Sequence, residues 1–374
     1  MKKPAITIIL LLFSGFSGYL PCLAQTGTEF WFVAPEVSAD HGDAPVFIRL
    51  STIGQPARVT ISMPANPSFV PVVLEMPPNT TRSVEFTSQL NVLENRPANQ
   101  VLQKGLLISA SAPVTAYYEV ASTVNPEIFP MKGSNALGTS FMVPAQNVFE
   151  NRVGSSAADL VATEDNTTVT ITPGNNAVGR PAGQTFSITL NRGETWSLRA
   201  AGIEATSKLI GTFISSDKPV AVTISDDSIL NGFNYDLVGD QLVPIAITGM
   251  EYIAVKGFAE QESLFVLATE DNTEVEVPAR GFTLRLNRGE QAQINLADAA
   301  LYIRASKPVY GYQLTGHGGE MGDALLPQID CTGSGQVGFV RSNDNTFSLM
   351  LLTRAGNENS FTLDGQPLVF TGSF

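Results

Sequence analysis

Two kinds of residue in this chain have types and spacing that suit chemistry: adjacent carboxylates and a pair of histidines. Glu164 with Asp165, and Glu270 with Asp271, stand in one short phrase, Ala-Thr-Glu-Asp-Asn-Thr, that occurs at 162–167 and again at 268–273. Neighbouring carboxylates in an acidic chain are what a calcium ion takes, so these four are the candidate metal ligands. A calcium loop needs more oxygen donors at close spacing than Glu-Asp-Asn-Thr offers, and solvated turn carboxylates are the plainer reading. Asp226 with Asp227, and the stretch from Asp236 to Asp240, form a second acidic group with the same shortfall. The histidines are His41, in Asp40-His41-Gly42-Asp43, and His317, in Gly316-His317-Gly318-Gly319-Glu320. Neither has a two-histidine zinc spacing, and no Gly-x-Ser-x-Gly elbow supplies a nucleophile. Both read as loop histidines, and no catalytic residue or cofactor is assigned. A glycoside hydrolase working through a carboxylate pair between modules has no short signature of its own, so it stands as the alternative enzymatic function.

Aromatic residues are the better binding candidates. Phe30-Trp31-Phe32 and Tyr117-Tyr118 lie in strand-like runs and read as core. Phe233 and Tyr235 differ, because Asn231-Gly232-Phe233-Asn234-Tyr235-Asp236 is punctuated by glycine and asparagine, and such loops carry contacts. These two are the candidate binding residues. Burial of this loop would instead favour a purely structural repeat spacer.

The elements that must position these residues are strands. Alternation such as Thr185-Phe186-Ser187-Ile188-Thr189-Leu190 runs through the chain, no segment sustains a helical period, and charged residues make up only 15% of the total, against about 25% in typical domains. The repeated phrase is followed each time by Leu-Asn-Arg-Gly-Glu, at Leu190 and Leu286, and then by Lys-Pro-Val, at Lys218 and Lys307. Glu-Asp-Asn reads as a hairpin turn, Asn-Arg-Gly as a second hairpin with glycine at positive φ, and proline as a strand junction. A looser copy precedes them at Val59-Thr60-Ile61 and Ser111-Ala112-Pro113-Val114, and a fourth starts near Phe347. The spacing predicts an all-β chain of tandem β-sandwich, immunoglobulin-like modules with six or seven strands each, a propeller-like ring being the alternative. The expected organisation is a signal peptide over 1–24, modules over 25–150, 151–250 and 251–335, and an apparently truncated fourth unit over 336–374.

The leader reading rests on Met1-Lys2-Lys3, an apolar stretch from Ile6 to Phe13 and a small-residue site, with cleavage near Ala24-Gln25; it implies a secreted or cell-surface protein without a transmembrane segment in the mature chain. A net charge of −13 opposes nucleic acid and anionic membrane surfaces as partners. Past the leader Cys331 is alone, so packing rather than internal disulfides must hold the modules.

Several runs together resemble the N-terminal domain of IgGFc-binding proteins: Gly105 to Val114 (Gly-Leu-Leu-Ile-Ser-Ala-Ser-Ala-Pro-Val), the Ala-Thr-Glu-Asp-Asn-Thr phrases, Leu-Asn-Arg-Gly-Glu, and Ser216 to Val222. Asp240-Gln241-Leu242-Val243-Pro244 followed by Gly249-Met250-Glu251-Tyr252 is similar to that family's junction between units. The resemblance spans roughly Gly105 to Phe374. It implies a β-rich, secreted or surface, non-enzymatic binding and adhesion module of bacterial type, with an extracellular glycoprotein, polysaccharide or host protein as partner.

Overall fold

A computed structural model of the chain describes residues 26–329, 338, 351–353 and 356–368. The leader, Cys331 and most of the expected fourth unit lie outside the described residues. Three sheets account for nearly all of the rest. The first holds β1 (Gly27–Phe32), β2 (Val46–Thr52), β3 (Ala57–Ser62), β4 (Val72–Met76), β5 (Thr81–Glu85), β6 (Leu106–Ala121) and β7 (Pro126–Pro130). The second holds β8 (Gly138–Met142), β9 (Ser156–Ala162), β10 (Thr167–Thr172), β11 (Phe186–Leu190), β12 (Thr195–Arg199), β13 (Phe213–Asn231) and β14 (Asn234–Gln241). The third holds β15 (Gly249–Val255), β16 (Phe258–Ala259), β17 (Ser263–Ala268), β18 (Thr273–Val277), β19 (Phe282–Leu286), β20 (Gln291–Asn295), β21 (Ala300–Gly318) and β22 (Glu320–Leu325). Their paths are alike: β4-β3-β6-β2-β5, β11-β10-β13-β9-β12 and β19-β18-β21-β17-β20. Among the described residues one short α-helix, Leu90–Leu93, is present. Because β8 pairs with β13, the second sheet takes in residues upstream of 151.

One long strand organises each sheet. In the second, the first part of β13 pairs with β10 and β8 up to Ser216, and from Val220, where β8 keeps one last pair through Gly138, it pairs with β9 and then β14. Pro219 lies in the gap, where its missing N–H interrupts no ladder. Pro113 in β6 and Pro308 in β21 mark the same change of partners. Each sheet is thus folded across its long strand into two layers, and both layers feed one core. In the first unit Phe30, Ile61 and Ile108 from one layer join Ile48, Tyr118 and Phe129 from the other. This is the all-β sandwich architecture expected from the alternation, reached without closing a propeller.

The repeated phrases meet at this crease, and here two expected hairpins are corrected. Both β9 and β10 run antiparallel to β13, so they run in the same direction and Thr163–Asn166 is a corner between layers. The Asn191–Glu194 segment is likewise a corner, since β11 pairs with β10 and β12 with β9. Apolar runs on either side of a polar break can each find a longer strand to pair with, and β13 offers that option. The two corners bond to each other: the N–H of Asn166 donates to Oδ1 of Asn191 at 3.2 Å, and the N–H of Arg192 to Oδ1 of Asp165 at 3.0 Å. Thr163 Oγ1 donates to the carbonyl of Pro219 at 2.7 Å, and Thr269 to that of Pro308 at 2.6 Å. Lys218 and Lys307 reach the carbonyls of Asp165 and Asp271. Asn166 and Asn272 take φ of 53°, and Gly193 and Gly289 take 79° and 83°, the left-handed conformation these types tolerate best.

The units also pack on one another. Every position of β9 and of β17 is buried, because one face serves the unit's own core and the other a neighbour. Leu264 and Val266 face the third core, while Phe265 and Leu267 join the core of the second unit with Tyr310, Tyr312 and Leu314. Between the first and second units Trp31, Val33 and Leu107 meet Val161 and Ala221. Three hairpins, β6–β7, β13–β14 and β21–β22, lie side by side and point the same way. Their order is fixed by the N–H of Leu237 donating to Oδ1 of Asn125, that of Gly239 to Oδ1 of Asp323 at 2.9 Å and that of Leu325 to Oδ2 of Asp240 at 2.9 Å.

Candidate functional site

The common direction of the hairpins brings their tips to one end of the molecule. At the second tip Asn231 pairs with Asn234, leaving Gly232 and Phe233 as a two-residue turn with Gly232 at φ 65°. Phe233 is fully exposed, at 101% of its reference area. The first tip exposes Val124 at 67%. Beside the third, β16 runs parallel to the end of β21 and carries Phe258, 62% exposed, whose ring centroid lies 5.5 Å from that of His317. Asn234 and Gly319 touch closely enough that a Cβ on Gly319 would meet the Asn234 amide. Apolar side chains from three units are thereby offered on one face. Sequence reasoning found Phe233 but missed Phe258 and Val124. The signal for Phe258 was Gly257 before it, and nothing local marked Val124.

Tyr235 has a different place. It is half-buried, its ring 4.7 Å from the His41 ring, with the Arg152 guanidinium 4.4 Å from its centroid. Beneath the tips His41 itself is buried. Its Nδ1 lies 2.5 Å from Oδ1 of Asp227 and 3.1 Å from Nδ2 of Asn125, and its Nε2 lies 2.7 Å from the carbonyl oxygen of Tyr235. Burial pushes the imidazole pKa down, but the hydrogen bonds to Asp227 and to the Tyr235 carbonyl, with the charges of Asp227 and Asp236, win and raise it. Burial, a hydrogen bond to Glu320 and the charge of Glu320 together push Asp236 up to about 7, against the N–H of Met321 and the charge of His41. The loop histidine of the first unit, two aspartates of the second and a glutamate of the third thus form one network. Both nitrogens of His41 are engaged, which leaves neither for a nucleophile.

The other candidate carboxylates are taken up elsewhere. Glu164 and Asp165 sit at the crease of the second unit and Glu270 and Asp271 at that of the third, so the four do not converge. Asp165 and Asp271 spend an oxygen on the N–H of Arg192 and of Arg288, each at 3.0 Å. Asp226 accepts from Lys208 at 2.9 Å and from Gln146 and Asn151 at 2.7 Å, and Asp240 pairs with Lys132. Among the described residues no group of three or more His, Cys, Asp or Glu is arranged to hold a metal ion. Burial pushes Asp323 up to about 7, the Tyr312 hydroxyl opposing and the Asp240 charge adding to it; burial and the Asp323 charge raise Glu127 as well. These acids lie in the seam between packed hairpins.

Comparison with known proteins bears on the fold. No curated protein matches the chain. A solved structure, a biofilm-associated protein's BSP domain, is similar at 8% identity over 80% of this chain and 62% of that one, with a TM-score of 0.13; the chain therefore spans less than two thirds of that structure's length. A family described as IgGFc binding protein matches residues 130–373, which takes in the second and third sheets with their creases. On that match over more than half of its length, the chain belongs to the IgGFc-binding protein family.

Proposed function

We propose that this protein is a non-enzymatic binding and adhesion module, secreted or displayed at the cell surface, that grips its partner with the three hairpin tips. The observation that carries the reading is Phe233, a large apolar side chain wholly in solvent at the apex of a two-residue turn, with Phe258 and Val124 exposed on the neighbouring units. Aromatic side chains at such positions supply the anchors of protein interfaces, and exposed apolar groups collected on one face mark contact sites. Family membership supports a protein or glycoprotein as the partner. Tyr235 acts from below by holding its loop against His41 and contributes little contact area.

Binding of the purified chain to immobilised immunoglobulin G, mucin glycoproteins, matrix proteins and polysaccharides tests this. We expect saturable binding to a protein or glycoprotein, weakened at least tenfold by Phe233→Ala, a usual loss for an interface anchor. Phe258→Ala should weaken it as well, and a crease variant such as Asp165→Ala should not. Silence across the panel, or binding indifferent to both phenylalanines, would overturn the assignment of this face.

A further inference from the structure

In the network under the tips an ionised Asp227 calls for a doubly protonated His41. Nε2 of His41 faces a backbone carbonyl, which can only accept, so Nε2 must carry a proton. Nδ1 faces Oδ1 of Asp227, while Oδ2 of the same carboxylate already accepts the N–H of Ser38 at 2.8 Å. With Asp227 ionised both ring nitrogens must donate, and the ring is an imidazolium. Its removal from solvent is balanced by Asp227 from the second unit, and Asp236 of the same unit lies nearby, hydrogen-bonded to Glu320 of the third. Asn125 of the first unit turns its amide nitrogen toward Nδ1 at 3.1 Å, its oxygen accepting the N–H of Leu237, so it can donate to Nδ1 only when that nitrogen is bare. Asp40 and Asp43 flank the histidine along its own loop, and Arg152 caps the far side of Tyr235.

We propose that the hairpin tips are clasped by this doubly protonated histidine, and that loss of one ring proton releases the first and third units' loops from the second unit's tip. A bare Nε2 turns its lone pair on the Tyr235 carbonyl, and a bare Nδ1 turns its lone pair on Oδ1 of Asp227 at 2.5 Å, a repulsion that the longer bond available from the Asn125 amide offsets only in part. The sign is the same for His41 and Asp236. His41 is raised, so its contribution is complete below its unfolded value of about 6.5 and is lost as pH climbs through the folded value. Asp236 is raised too, and its protonated form is the one favoured in the folded chain, so its contribution falls as pH rises from the ordinary carboxylate range to about 7. The clasp is closed in mildly acidic surroundings and open in alkaline ones. This holds whether or not the tips bind a partner, because the readout is the chain alone.

Hydrogen–deuterium exchange at about pH 6 and about pH 8.5, corrected for intrinsic exchange, tests it. Amides of 38–43, 231–237 and 317–321 should lose protection by about tenfold at the higher pH, while those of β3 and β10 hold. In Asp227→Asn the new amide can donate to a bare Nδ1 and its oxygen can keep the Ser38 N–H, so the amides of 38–43 should lose most of their pH response. Imidazole NMR on the unaltered chain needs no variant: with two histidines, the His41 signals should report two ring protons at about pH 6. A singly protonated His41 there, equal protection of the tips at both pH values, or a pH response of 38–43 undiminished in Asp227→Asn would each overturn the clasp.

Discussion

Single residues at the crease do work that their types announce only in part. Thr163 and Thr269 each donate to the carbonyl of the proline opposite, and Asp165 and Asp271 each hold a backbone N–H of the second corner. Losing one such bond costs about 1 kcal/mol, so Asp165→Ala should lower the unfolding free energy from urea titration by that amount, and added calcium or chelator should leave it where it is. An increase in stability with calcium that Asp165→Ala abolishes would restore the metal reading. Glu94 offers a second test. Burial pushes it up from 4.5 to about 7, with the N–H of Val37 and the charge of Arg96 opposing and Asp43 and Glu36 adding to it. The folded carboxyl therefore keeps a proton that the unfolded one has released, and its contribution to stability falls as pH rises between about 4.5 and about 7. Glu94→Gln should remove roughly 2 kcal/mol of the decline between pH 5 and pH 8 in urea unfolding. Neither role was legible beforehand. Asp165 showed its type and its turn, but the N–H it holds lies on another corner, and Glu94 showed nothing of its burial because its partners come from a loop more than fifty residues away.

Among elements, the strands were legible and their connections were not. Period-two runs, positive-φ glycine and the proline junction all stand where the residues place them, since each depends on local sterics. What a turn joins depends on which strand each flank pairs with, and the corners at Glu164 and Arg192 took the form of hairpins on paper because a polar break between two apolar runs looks the same in both. Gly193→Val should destabilise the second unit by about 1–3 kcal/mol, from strain at positive φ and from a Cβ only 2.9 Å from the backbone nitrogen of Ala65. Thermal unfolding checks it, and an unshifted melt would mean that the corner relaxes without cost. Gly105 is a sharper probe of the join between units. A Cβ there would stand 2.4 Å from Val161 and 2.7 Å from the carbonyl of Gly193, so Gly105→Ala should part the first unit from the second. Proteolysis at the Asn99–Lys104 stretch should speed up while the second and third units stay resistant.

At the scale of the whole molecule the units are not beads on a string. Phe265, Tyr310, Tyr312, Leu314, Met321 and Leu325 belong to the third unit and yet complete the core of the second. A chain ending at Thr248 would expose that face, and we expect it to aggregate or to melt well below the longer chain, as read by light scattering and calorimetry. An equally stable, monomeric fragment would show the units to be independent. This shared packing was beyond the sequence, where β17 is apolar from Leu264 to Ala268 and β9 is apolar but for Ser156 and Asp159, with no mark of which neighbour covers the second face. The tips were half visible for the same reason: Phe233 sits in an obvious loop, but its company of Phe258 and Val124 exists only once three hairpins lie parallel.

The distance between crease and tip has a consequence for how the tips can be altered. The repeated phrases gather at the crease around Pro219 and Pro308, whereas Phe233 stands in the turn past the far end of the same long strand, on the order of 40 Å away at about 3.3 Å per residue. On the proposed assignment of the binding face, and among the described residues, the turn residues at the three apices share no bond with the corners, so an apex can be rewritten without disturbing the crease that holds each unit.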